Sequence, residues 1–192
     1  MRVIAGSAGG IRLDVPKTDV RPTMDRVKAA IFSSLGDRVI GAKVLDLFAG
    51  TGALGIEALS RGAAMATFVE ENRDAVRTIE CNLARAKATG QVRQSDVLRF
   101  LSGAGPKLQF DIIFADPPYD ETKSGDTWTR LLLHDECLPK LLASEGVFVL
   151  EKRPGEALPV GVKWRIARQK KYGATEVLFL EDAGASHATP VE

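Results

Sequence analysis

The stretch Phe110-Asp111-Ile112-Ile113-Phe114-Ala115-Asp116-Pro117-Pro118-Tyr119 ends an apolar run on an acid, two prolines and an aromatic ring. Each proline fixes its own φ and drives the residue before it toward extended geometry, so the Asp116 carboxylate and the Pro117 carbonyl form a rigid pair of acceptors. Two acceptors side by side suit an NH2 group, which has two protons to give, and Tyr119 adds a flat face for a planar partner. An exocyclic amine on a nucleobase is a weak nucleophile because its lone pair is delocalised into the ring. Accepting both of its protons favours a pyramidal nitrogen and frees the pair. Asp116, Pro117 and Tyr119 are therefore the candidate catalytic residues, for attack by a planar amine on an electrophile held in line with it.

A second constellation lies upstream. Gly50-Thr51-Gly52-Ala53-Leu54-Gly55 matches GxGxxG after the apolar run Val44–Phe48, and Glu70 follows 20 residues after Gly50. Glycines at those positions let a ligand approach the backbone, and an acid at that distance holds ribose hydroxyls, so a ribose-bearing cofactor is expected. Asp46 argues against a dinucleotide such as NAD, because its charge repels a pyrophosphate and attracts an ammonium group. S-adenosyl-L-methionine has an α-ammonium and no phosphate. An oxidoreductase using the same glycine turn with NAD is the weaker alternative. Asp96, followed by Val97, again places an acid just past a strand, so Asp46, Glu70 and Asp96 would line one crevice at the carboxyl ends of a parallel sheet.

These residues need a scaffold that brings strand ends together. Short apolar runs predict strands at Lys43–Phe48, Met65–Glu70, Gln91–Gln94, Phe110–Ala115 and Gly146–Glu151, alternating with helices at Ala53–Arg61, Arg73–Ala88, Val97–Leu101 and Trp128–Ala143. Val162–Gln169 and Glu176–Glu181, joined by a turn at Lys171–Ala174, predict an antiparallel pair closing the sheet. Arg2–Ala5 and Ile11–Val15 flank Ser7-Ala8-Gly9-Gly10, a hairpin signal, and Thr23 is placed to cap a helix carrying Val27, Ala30, Ile31 and Leu35. The expected organisation is one α/β domain over residues 41–182, a hairpin and helix over 1–40 packed on it, and a disordered polar tail over 183–192.

Composition narrows the chemistry. The 192 residues, 45% hydrophobic, fit one domain. Two cysteines, Cys81 and Cys137, and two histidines, His134 and His187, fit no metal-ligand spacing and supply no Ser/His/Asp or Cys/His system, so no metal is expected and covalent hydrolysis is excluded. No apolar run is long enough for a membrane span or a signal peptide, so a cytoplasmic protein without membrane contact is expected. Residues 1–43 hold eight Lys/Arg against four Asp/Glu and residues 152–172 hold seven against one, while the rest holds 11 against 20. Two basic segments flanking an acidic middle read either as solvated faces or as a rim that docks a polyanion.

In "RPTMDRVKAAIFSSL" (21–35), "VLDLFAGTGALGIEALSRGA" (44–63), "FVEENRDAVRTIECNL" (68–83) and "FDIIFADPPYD" (110–120), with "RVIAGSAGGIRL" at the start, the chain resembles class I methyltransferases, and among them the RsmD family of bacterial 16S ribosomal RNA guanine-N2 methyltransferases. The resemblance spans about residues 1–181. It implies a doubly wound Rossmann-like domain with a mostly parallel seven-stranded sheet and an antiparallel C-terminal hairpin. It implies S-adenosyl-L-methionine as methyl donor, with Asp46, Gly50, Thr51 and Gly52 around the methionine moiety, Glu70 at the ribose, and Asp96 with Val97 at the adenine. The target would be a flipped guanine in 16S rRNA of the small ribosomal subunit, held by Asp116, Pro117 and Tyr119. The RNA would dock on a basic rim of Arg2, Arg12, Arg21 and Arg26 on one side and Lys170 and Lys171 on the other, with the protein acting as a monomer. Adenine N6 or a protein glutamine amide presents the same NH2 and stays open as an alternative target.

Overall fold

Apolar side chains alternate along the central strands, and the alternation sorts them onto two faces of one sheet. The computed structural model describes residues 1–15, 23–105, 108–119 and 127–184, with the side chains of Thr23 and Met24 left out. Its strands are β1 (Lys43–Leu47), β2 (Met65–Glu70), β3 (Gln91–Gln94), β4 (Phe110–Ala115), β5 (Leu142–Lys152), β6 (Trp164–Tyr172) and β7 (Thr175–Asp182), in the order β3-β2-β1-β4-β5-β7-β6. The first five run parallel; β7 lies antiparallel to β5 and to β6. Val44, Phe68, Ile112, Phe114 and Val149 pack with α1 (Thr23–Leu35), α2 (Ala53–Ser60) and α3 (Arg73–Arg85) through Ile31, Phe32, Ile56 and Ile79. The intervening Leu45, Leu47, Ile113, Phe148 and Leu150 meet α4 (Val97–Gly103), α5 (Trp128–His134) and the single turn α6 (Leu138–Leu141) through Leu101, Leu132 and Leu138. Helices on both faces of a parallel sheet, with the order reversing between β1 and β4, make the expected doubly wound Rossmann-like fold.

Several boundaries differ from the sequence expectation, each for a local reason. The helix expected over Trp128–Ala143 is broken: Asp135 is extended and its carboxylate accepts the Cys137 and Leu138 N–H groups at 2.8 and 2.7 Å, starting a new turn with Pro139 in its first residues. β5 then starts at Leu142 rather than Gly146. Its register against β4 shifts between Phe110 and Ile112, and a Cβ at Gly146 would stand 2.7 Å from Leu142 Cγ. α3 stops at Arg85, with Lys87 at φ +51°, and does not reach Ala88. β1 ends at Leu47, because Phe48 turns out of the strand at φ +56°. The N-terminal hairpin is a single antiparallel bridge, Arg2 to Arg12. α1 begins at Thr23 itself, and the tail from residue 185 lies outside the described residues, as does Arg21.

The N-terminal segment is nevertheless firmly attached. Glu57 on α2, fully buried, accepts the Ile4 and Ala5 N–H groups at 2.7 and 3.1 Å and pairs with Lys28 of α1 and with Arg61. Burial of Lys28 pushes its ammonium pKa down, against the opposing pull of Glu57. Asn82 on α3, also fully buried, accepts the Asp14 N–H at 2.7 Å and donates to the Asp14 carbonyl and to the Thr51 carbonyl of the glycine turn.

Candidate active site

Register fixes where the acids fall. Asp46 pairs with Phe68 on one side and Phe114 on the other, and Phe114 pairs with Val149. Two residues beyond these partners stand Glu70, Asp116 and Glu151. By period-two alternation all four carboxyls emerge on the α1–α3 face, at the carboxyl ends of β1, β2, β4 and β5. The order reverses between β1 and β4, so Asp46 and Asp116 flank the crevice where open α/β sheets bind ligands.

Asp46 is only 2% exposed and accepts the Gly55 N–H, in the first turn of α2, at 2.8 Å. That bond does not offset burial, which with the neighbouring Asp116 and Glu70 raises its pKa to about 8. Gly50 and Gly52 both have positive φ, +54° and +76°, which glycine adopts without strain. The Glu70 carboxylate accepts the Gly50 N–H and the Asn72 N–H, each at 2.8 Å, bracing the turn, and Thr51 is held from behind by Asn82. Glu71, the next residue in the chain, is exposed. Asp96 caps α4 by accepting the Arg99 N–H at 2.9 Å, and Val97 behind it is buried. Asp46, Gly50, Thr51, Gly52, Glu70, Asp96 and Val97 therefore all lie at the carboxyl ends of β1, β2 and β3 or in the turns that follow.

Across the switch point, Asp116 is half-buried, Pro117 is buried and Pro118 is exposed. Tyr119 is fixed from two directions: its hydroxyl shares a hydrogen bond with Thr175 Oγ1 at 3.0 Å, and the Arg153 guanidinium lies 5.4 Å from its ring centre. Pro117, Pro118 and Tyr119 form one wall of a cleft of about 340 Å³ whose other walls are Trp128 with its neighbours and residues Glu151–Glu156, a volume at the small end of small-molecule sites. Lys152, 2% exposed, shapes the last wall: its ammonium donates to the Arg153 and Glu156 carbonyls at 2.9 Å and pairs with Glu176 at 2.7 Å.

Sequence reasoning misses Glu151 and Trp128. Glu151, last but one in β5, has the same parity as Asp46 in β1, a signal obscured by the basic pair Lys152-Arg153 beside it. Trp128 reads in sequence only as the start of a helix; its ring meets Phe48 edge-on at 4.8 Å. Burial pushes the Glu151 carboxyl pKa well up, with Asp116 and Asp46 adding to the effect. Every charged neighbour acting on Asp46 and Glu151 is itself a carboxyl. Such a set complements a cation and repels a phosphate, so the residues fit S-adenosylmethionine, with its sulfonium and ammonium, and do not fit a pyrophosphate.

Of the residues expected on a basic rim, all but Arg21 lie among the described residues. Arg12, Arg26, Lys170 and Lys171 are exposed, and Lys170 Nζ reaches Ser34 Oγ at 3.4 Å, tying β6 to α1. Arg2 is solvent-facing and pairs with Asp25 at 3.7 Å.

The family described as Conserved hypothetical protein 95 matches residues 1–181. The chain belongs to this family, the RsmD family of class I methyltransferases. "Ribosomal RNA small subunit methyltransferase D" of Escherichia coli K12 is 38% identical over 90% of this chain and 85% of its own. The Haemophilus influenzae protein of the same name is 31% identical over 90% and 89%. A solved structure of a Thermus thermophilus protein superposes with a TM-score of 0.79 at 31% identity, covering 94% of this chain and 99% of that one. The RsmD-family chain is thus a methyltransferase whose cofactor is S-adenosylmethionine. Among its described residues no helix is long and apolar enough to cross a membrane.

Proposed function

We propose that this methyltransferase modifies the exocyclic N2 amine of a guanine in 16S ribosomal RNA of the small subunit. The observation that carries this reading is the placement of Asp116 and Pro117: they follow directly on β4, beside the strand that carries Asp46, and Pro117 lines a cleft with Tyr119 and Trp128. The relatives named for small-subunit rRNA point to the same class of substrate.

The chain's own residues divide the work along the sheet. Asp46 and the Gly50-Thr51-Gly52 turn hold the methionine end of the donor, Glu70 takes ribose hydroxyls, and Asp96 with Val97 borders the adenine. When bound, the cofactor supplies an electrophilic methyl group. Asp116 and the Pro117 carbonyl each accept one proton of the target amine, turning its lone pair toward the donor side of the switch point. Tyr119, immobilised by Thr175 and Arg153, offers a flat surface against the base. Arg2, Arg12, Arg26, Lys170 and Lys171 position the RNA through its phosphates without reading sequence.

The test is a mass-spectrometric map of methylated nucleosides in small-subunit rRNA from cells with and without the gene, with labelled-methyl transfer to subunits, naked rRNA, duplex DNA and release factor alongside. Loss of one N2-methylguanosine and transfer to subunits or rRNA is expected. Transfer confined to DNA or protein overturns the reading.

A further inference from the structure

Glu151 is an ionisable group of the cleft that the catalytic scheme leaves unused. It is 9% exposed, lines the cleft with Pro117 and Tyr119, and stands at the end of the strand beside β4. No hydrogen bond or ion pair to its carboxyl is found among the described residues, and its oxygens are not fully enclosed, so what remains of its exposure opens to the cleft it lines. A carboxyl nine-tenths buried beside a ligand cleft, without a protein partner, carries a desolvation cost that a bound group can relieve. Lys152, the next residue in the chain, is already committed to Glu176 and two carbonyls, so it supplies no counter-charge.

We propose that Glu151 hydrogen-bonds the edge of the target ring next to the methylated amine, and so selects guanine over bases whose neighbouring ring nitrogen has no proton. This rests on the guanine-N2 reading above and deepens it. With the two amine protons on Asp116 and Pro117, the next atoms on guanine's Watson–Crick edge are the N1–H donor and the O6 acceptor. A neutral carboxylic acid matches that pair at two points, its carbonyl oxygen accepting from N1–H and its hydroxyl donating to O6. Burial, with the carboxyls of Asp116 just past β4 and of Asp46 in β1 adding to it, favours the neutral form. On adenine, or on 2-aminopurine, the neighbouring nitrogen carries a lone pair and the atom beyond it is C–H. The acid then makes one bond and leaves an oxygen against carbon, and an ionised Glu151 makes none. Guanine is preferred in either protonation state.

The test compares small-subunit RNA carrying guanosine or 2-aminopurine at the mapped methylation site, because both present an amine at C2. Wild type, Glu151→Gln and Glu151→Ala are assayed for kcat/KM on both RNAs and for donor Kd. Glu151→Met, which fills a similar volume without polar atoms, replaces the alanine variant if that one does not fold. Glutamine reproduces the neutral acid's acceptor and donor, so it keeps the guanosine-to-aminopurine ratio within about threefold, while the alanine or methionine variant lowers that ratio by roughly tenfold or more, from one lost hydrogen bond and one uncovered partner. Donor Kd stays within about threefold in all three, since the contact is to the RNA base. If both RNAs lose activity equally in the alanine or methionine variant, Glu151 only shapes the pocket and the proposal is wrong. If glutamine loses the preference as fully as alanine, the neutral two-point contact is wrong. If wild type forms no N2-methylguanosine at all, the underlying guanine reading fails first, and the nucleoside analysis alone reveals it.

Discussion

Asp46→Asn should make the ligand-free protein more stable, and increasingly so as the pH rises. The folded carboxyl titrates near 8, against 3.8 for the ordinary group. Between those two values the unfolded chain is ionised at Asp46 while the folded chain holds its proton, so the folded state binds more protons and stability falls as pH increases. At about 1.4 kcal/mol per pH unit, the cost reaches roughly 4 kcal/mol at pH 7 and about 1.6 at pH 5. Asparagine keeps the shape and can still accept the Gly55 N–H, but it has no charge to suppress. Allowing about 1 kcal/mol for a weaker bond to that amide leaves a net gain near 3 kcal/mol at pH 7 and little at pH 5. Urea unfolding at pH 5, 6, 7 and 8 without ligand measures it. A constant gap between the two proteins across that range, or a less stable variant at pH 7, would refute the reasoning. Donor binding should move oppositely. If Asp46 contacts the ammonium it must ionise on binding, so wild-type affinity rises toward pH 8 and levels off above it. The variant loses that dependence and binds about 10- to 100-fold more weakly at pH 8.

Asp116→Ala should abolish methyl transfer while leaving donor Kd within about tenfold, because the residue serves the amine more than the methionine tail; near-normal turnover would contradict its role. Reversing Lys170 and Lys171 to Glu should weaken RNA binding and lower the salt slope by about two phosphate contacts, and an unchanged slope would make this surface a solvated face. Lys152→Met removes the ammonium from Glu176, which keeps only the Gln169 amide at 2.7 Å as a side-chain partner, and should cost about 1–3 kcal/mol in denaturant unfolding. The hydrogen bond from Lys152 holds the Glu176 carboxyl below its usual range, so this contribution is present above pH 4.5 and fades as pH falls below it. Gly52→Ala forces φ +76° on a residue with a Cβ 3.2 Å from Ile56 and Ile79. It should cost about 1–2 kcal/mol and loosen donor binding together.

The parallel half of the sheet is legible in the sequence because β1, β2 and β4 are short, largely apolar runs and turn or acid signals bound the strands, and β2, β3 and β4 begin and end where expected, although β3 itself is largely polar. The strand order follows from the connections. Irregular backbone is less legible. Asp135 and Pro139 break the run from Trp128 although its apolar residues keep helical spacing, and a bulge that hinges on Gly146 lengthens β5 backwards. Tertiary context decides both. In the site, acids that end strands one, two and four can be found because motif residues surround them. Glu151 cannot, because only the observed register aligns it with Asp116. Asn82 reads as part of an amphipathic helix, and nothing in its neighbourhood announces that its amide serves two distant backbone segments.

That amide has a consequence for how the molecule breathes. Since one side chain fastens both Asp14 and Thr51, the leading segment and the glycine turn cannot open independently. Amide hydrogens near residue 14 should exchange with solvent on the slow clock of α3, unlike those of a loose surface arm. Saturation with donor should slow them further, though no donor atom need touch them, so that occupancy of the crevice becomes readable from the opposite end of the chain.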